Sequence, residues 1–327
     1  MEREKLKLLQ VGRAVAALAV VVYHAAKVGD SYASGRLTPW FNWGQFGVDF
    51  FFVLSGFIIY YAHRDDSRDL ASAGRFAVKR LRRIYVPYLP VGLAMAAVYL
   101  WAPGLSSGTP HWSLFTSLTL LPSHAPPALE PAWTLVFEIT FYGFFLLFYA
   151  TRRFWWIVAT SAAAILVLMV SGPVPSPGSV TAHYVDPVIL EFLAGMAMAH
   201  VARGMRSSWW RVLVPSAAVL AAAGLVVVTT MGLPRVIFGL ALAPLVLGLV
   251  LYEREARPRV PEFWMLLGAA SYAIYLVHEP LFSVVGRVVT RWDSWWLAFG
   301  TSVIVAVVAG VVYHLWYERP MVRRLSA

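Results

Sequence analysis

The chain has 327 residues, 59% of them hydrophobic and 13% charged, with a formal net charge of +10 and no cysteine. Apolar residues in such a share and in long uninterrupted runs make the bilayer the main solvent and exclude a soluble globular enzyme. No water-exposed domain is left to carry a basic face, which excludes nucleic acid as a partner, and the missing thiols exclude disulfides, thiolate metal sites and a cysteine nucleophile.

At about 20 apolar residues per span, the sequence predicts helices over 8–28, 46–63, 84–102, 131–150, 154–172, 185–202, 209–231, 233–252, 263–286 and 295–316. This is an all-α, polytopic bundle of about ten transmembrane helices. With no fixed-period repeat, heptad seam or low-complexity tail, residues 1–327 read as a single integral membrane domain. The first helix begins MEREKLKLLQ, like the basic start of a signal peptide, but Arg13 interrupts the apolar run and further segments of the same kind follow, so we read it as retained. The connection 102–130 contains HWSLFTSLTLLPSHAPPALEP, an apolar stretch too short to span followed by prolines, and reads as a re-entrant or interfacial segment. Charge alternates across the connections: one side holds most of the Lys and Arg, including Arg75, Lys79, Arg80, Arg82 and Arg83. The other side holds Lys27, Arg36, Arg235, Arg287 and Arg291. The positive-inside rule then places both termini in the cytoplasm.

Ionisable residues inside spans are costly and mark candidate chemistry. Arg13 and His24 lie eleven residues apart on the first helix, close to three full turns, so they share a face about 16 Å apart. Each alone has a plain explanation, Arg13 snorkelling to headgroups and His24 hydrogen-bonding a neighbouring helix; together they favour a functional face. An imidazole suits general-base work because it takes a proton near neutral pH without a permanent buried charge. Asp30 is one position too far for the soluble His-x-x-x-Asp acyltransferase pattern. In the second span, GQFGVDFFFVLSGFII, Asp49 is placed to orient His24 or an arginine or to lie in the interface, while Ser55 and Gly56 read as helix packing. Arg80 and Arg83 share a helical face, either as ordinary cations drawn to anionic membrane lipid or as a fork for phosphates. Glu138, in PAWTLVFEITFYGFF, needs a partner, for which His24 or Arg13 qualifies, and Glu191, His278 and Glu279 raise the same question. His278-Glu279 lacks the second histidine of a zinc-binding HExxH helix, so no metal is expected.

The segments LQVGRAVAALAVVVYHA, FGVDFFFVLSGFII, FAVKRLRRIYVPY, PAWTLVFEITFYGFF and SYAIYLVHEPLF stand in an order that resembles the membrane-bound acyltransferase family 3, and in particular its short exopolysaccharide O-acetyltransferases. The resemblance runs nearly end to end, with no SGNH-type hydrolase domain after the tenth helix; the stretch after Arg83 is one residue longer before its proline than in the family pattern. What it implies is an enzyme of the bacterial cytoplasmic membrane that moves an acyl group, acetyl as the family-level expectation, from cytoplasmic acyl-CoA to a hydroxyl of a sugar or lipid-linked glycan on the far side. The family's essential histidine falls on His24 and its acidic position on Glu138. Its donor-binding arginines fall on Arg13 in the first helix and on Arg80 and Arg83 at the cytoplasmic mouth, where the donor's phosphates would be held; our own expectation is that Asp49 or Glu138 sets the histidine tautomer. A homodimer stays open. Two other classes compete: a transporter using Arg13, His24 and Glu138 as a proton relay, for which no matched halves are visible, and a scaffold in a polysaccharide assembly.

Overall fold

The computed structural model describes residues 6–32, 36–101, 111–171, 179–289 and 294–326. Arg291 and the first part of the 102–130 connection lie outside the described residues. The helices in chain order are α1 (Lys7–Tyr32), α2 (Thr38–Phe41), α3 (Gly47–His63), α4 (Leu70–Trp101), α5 (Leu114–Thr119), α6 (Trp133–Phe145), α7 (Leu147–Ala150), α8 (Phe154–Ser171), α9 (Val180–Tyr184), α10 (Ile189–Val201), α11 (Trp210–Met231), α12 (Val236–Ala256), α13 (Glu262–Val289), α14 (Trp295–Tyr313) and α15 (Arg319–Ser326). Joined through short 3-10 and π turns, they form 10 segments long and apolar enough to cross a bilayer, and no strand occurs among the described residues.

The third span departs most from the expected boundaries. Read from hydropathy it begins at 84, but α4 is continuous from Leu70, because Asp69 caps it: the Ser72 backbone N–H donates to Asp69 Oδ1 at 2.6 Å. That hydrogen bond, helped by the Ser72 side chain, holds the Asp69 carboxyl below the usual carboxylate range. The cationic run Arg75 to Arg83 therefore lies on a helix, which fixes the faces its members present. Pro87 and Pro90 interrupt the ladder further along, and tyrosines gather at the weakened turn: Tyr272 donates to the Ile84 carbonyl at 3.0 Å and Tyr313 to the Pro87 carbonyl at 2.7 Å. Two more, Tyr85 and Tyr88, donate to the Thr119 and Ser117 carbonyls and tie down α5, which with its returning coil accounts for the expected non-spanning segment.

Residue proximity divides the chain into two compact units: Met1–Tyr23 with Trp40–Asp65 and Pro187–Ser271, and His24–Pro39 with Asp66–Asp186 and Tyr272–Ala327. In the first, α3 and α10 meet backbone to backbone. A Cβ at Gly56 would run into the Phe192 carbonyl, and one at Gly195 into the Val53 carbonyl. Small residues allow such approach, which is how helices gain dispersion contact in lipid. We expect Gly195→Val to lower stability by about 1–3 kcal/mol, the range for overpacking. Gly143→Ala, with no described residue within 4 Å of the added methyl, should be neutral or better. Thermal melts of the detergent-solubilised protein would compare the two, and an unshifted Gly195→Val midpoint would show that the helices part freely. At the start of α1, Glu253 accepts from the Lys7 and Leu8 N–H groups at 2.6 and 2.9 Å, satisfying donors that a helix N-terminus leaves open.

The second unit is built on aromatic packing. Phe145 lies 5.1 Å from Phe76, 5.3 Å from Phe148 and 5.7 Å from Phe154 between ring centroids, joining α4, α6, α7 and α8. All four rings are buried, a rigid base beneath the polar side chains of α4 and α6.

Candidate functional site

In the second unit, α1 brings His24 and α13 brings His278 together, with ring centroids 5.1 Å apart and an edge-on angle of 60°. His278 is fully buried, and its Nδ1 lies 2.6 Å from the Tyr275 carbonyl oxygen one turn earlier. A carbonyl oxygen only accepts, so Nδ1 carries the proton and the neutral ring keeps its lone pair on Nε2. That nitrogen is buried and has no hydrogen-bond partner among the described residues. Phe282 and Tyr275 wall the imidazole with ring centroids at 5.5 and 5.6 Å. Tyr275 is held in turn, its hydroxyl donating to the Pro131 carbonyl at 3.0 Å with the Thr134 hydroxyl 3.2 Å away. One turn beyond His24, Lys27 is near enough to act electrostatically on both His24 and Glu279, and Glu279 shares a side-chain hydrogen bond with Glu130.

A second polar group in the same unit lies between α4 and α6. Tyr142 donates to Glu138 one turn earlier on α6, and Arg80 acts electrostatically on both, with Arg83 close by. Arg80 is half-buried, its guanidinium 5.8 Å from the Phe76 ring centroid, whereas Arg83 is exposed. Tyr149 donates to Asp66 at 2.9 Å at the edge of this group. The sequence offers His24 or Arg13 as the partner of Glu138; the structure brings it Tyr142 and Arg80, because the side chain leaves α6 toward α4. A guanidinium held by aromatic and phenolic neighbours, beside a second exposed one, is a fork that can take phosphate oxygens.

The first unit holds the remaining expected residues. Arg13 donates through Nε to Ser271 Oγ at 3.1 Å, and Ser271 donates to the Gly268 carbonyl at 2.8 Å. Asp49 has no exposed surface and accepts from Arg235 through both oxygens, at 2.9 and 2.6 Å. This two-pronged pair makes Asp49 an anchor between α3 and the start of α12. Glu191 is buried against Gly239, where no Cβ would fit. Sequence reasoning passed over Arg235, counted only as a loop cation, and left His278 without a role. Among the described residues no three His, Asp or Glu side chains converge as metal ligands.

The family model described as an acyltransferase domain matches residues 7–316. The exopolysaccharide production protein ExoZ of Rhizobium meliloti (strain 1021) is 30% identical over 320 residues, covering 90% of this chain and 94% of that protein. Acyltransferase MdmB of Streptomyces mycarofaciens is 29% identical over 365 residues, covering 95% of this chain and 90% of the relative. No solved structure matches.

Proposed function

The chain belongs to this acyltransferase family, and from that premise we propose that it is an O-acyltransferase of the bacterial cytoplasmic membrane that uses acyl-CoA. The acyl group, acetyl in our reading, goes to a hydroxyl of a sugar or lipid-linked glycan on the extracytoplasmic side, with both termini in the cytoplasm. Membership makes it an acyltransferase, and the ten apolar helices make it a multi-pass membrane protein. The observation that carries the finer reading is His24, an imidazole kept inside a membrane span against a second imidazole. Such a group acts on a thioester either as general base toward the acceptor hydroxyl or as a nucleophile that carries the acyl group. Exopolysaccharide production, the activity named for the Rhizobium relative, supports a glycan as acceptor.

Arg80 and Arg83 are the donor's phosphate ligands in this reading, with Arg13 as a further cation assigned to the donor and Glu138 orienting Arg80 through their shared electrostatics. A chain without cysteine gives a clean assay, because every thiol released comes from the donor. Purified protein in detergent would be given radiolabelled acetyl-CoA and a panel of lipid-linked mono- and oligosaccharides. Label in the saccharide with stoichiometric thiol release is the expected result; absence of donor binding would overturn the reading in favour of a transporter. Within the same assay, Arg80→Ala should raise the KM for acetyl-CoA at least tenfold, a loss of about 1.4 kcal/mol of binding. The exposed Lys79→Ala should change it less than twofold. Equal effects from the two would make the cationic run a lipid-facing cluster instead.

A further inference from the structure

Resting on that acyltransferase reading, the geometry points to His278 as a second catalytic histidine, whose Nε2 takes the proton from the acceptor hydroxyl. Three observations converge on this nitrogen. The Nδ1–H is fixed on the Tyr275 carbonyl at 2.6 Å, which leaves Nε2 as the acceptor. The ring has no exposed surface, and Nε2 has no hydrogen-bond partner among the described residues. A buried polar atom without a hydrogen bond is costly, so its retention calls for a donor that arrives with a ligand. Finally, the ring stands 5.1 Å from that of His24, beside the proposed path of the acyl group.

The support around the ring is that of a base held in place. Tyr275 is anchored on Pro131 at 3.0 Å, and Phe282 packs 5.5 Å from the imidazole centroid, so the ring is held between two aromatic neighbours. Fixing one imidazole nitrogen on an acceptor while presenting the other to a hydroxyl is how histidine is prepared for proton transfer. In the step, the acceptor O–H bond breaks and its proton moves to Nε2 as the oxygen bonds to the acyl carbon. The bond from that carbon to its leaving atom then breaks, that atom being a His24 nitrogen that took the acyl group from the thioester beforehand and released the coenzyme as its thiol. The leaving atom takes the proton back from Nε2, so ester and free thiol form with no other reactant. His24 and His278 thereby divide the work: one faces the donor, the other the acceptor.

The test uses two variants of the full chain with acetyl-CoA and the saccharide panel. His278→Asn keeps an amide N–H for the Tyr275 carbonyl but deletes Nε2. It should melt like the wild type and hold its KM for acetyl-CoA within about twofold, yet lose about 100-fold or more in turnover, the lower end for general-base catalysis. His278→Ala should lose as much and regain at least tenfold when imidazole is added, the regained rate rising with the basicity of substituted imidazoles. Turnover of His278→Asn within fivefold of wild type overturns the proposal. So does a loss that imidazole leaves unrestored, since that assigns the ring a purely structural part. A wild-type protein that binds acetyl-CoA but labels no saccharide of the panel overturns the glycan-acceptor reading on which this step rests, a result distinct from an active wild type indifferent to His278.

Discussion

His24→Ala is expected to lower acyl transfer at least about 1,000-fold, within the range assigned to positioned acid–base groups, while membrane insertion and donor affinity stay near wild type. The separation follows from where His24 sits. It lies in the part of α1 that belongs to the second unit, with the edge of the His278 ring as neighbour, whereas the proposed phosphate fork is on α4. Deleting the imidazole removes an interaction made at the reacting atoms and leaves the groups that hold the coenzyme in place, so kcat falls and KM does not. The ring is only partly buried, which keeps the packing loss well below that of a core aromatic. Steady-state thiol release and acetyl-CoA titration on the same preparation would check both halves. Turnover within tenfold of wild type would end the case for His24, and a parallel rise in KM would move it from the chemistry to donor binding.

Much of the frame was legible because bilayer thickness sets a length that hydropathy can read, and each span satisfies its own backbone. The start of the third span was not. Its first turns are cationic and polar, so a hydropathy window passes over a helix that Asp69 starts by capping. At the candidate site, the sequence singled out both His24 and His278 but not that their rings lie together. A signal was present: spans one and nine run in the same direction, and His24 and His278 lie at nearly the same distance from the starts of their helices, hence at the same depth. Depth alone cannot say which helices touch, since contact between spans depends on packing that no single-chain pattern encodes. Glu138 shows the same limit. That it needs a partner follows from the cost of a buried carboxylate, but that the partner is Tyr142, four residues on, follows only from the side chain's direction off α6.

The anchor between α3 and α12 gives the largest expected effect on stability. Arg235→Ala leaves the Asp49 carboxylate, which has no exposed surface, without its two-pronged donor, and an uncompensated buried charge costs about 3–5 kcal/mol. The lower end applies here, because the Arg235 side chain is 35% exposed and part of its attraction is already screened. Asp49→Asn should cost less, about 1–2 kcal/mol, since it removes the charge while its carbonyl still accepts a hydrogen bond from the guanidinium. Arg235→Lys should fall between the two, a point charge replacing a planar fork. Changing both partners, as Asp49→Leu with Arg235→Met, should recover much of the loss, because no buried charge is then left alone. Unfolding midpoints of the four variants in mixed detergent would order them. If Asp49→Asn destabilised more than Arg235→Ala, the carboxylate would have a partner more important than Arg235, and the signal available in sequence would have pointed to the wrong cation. That signal was an acidic residue at the start of span two and a lone cation at the start of span eight, two spans that begin on the same side.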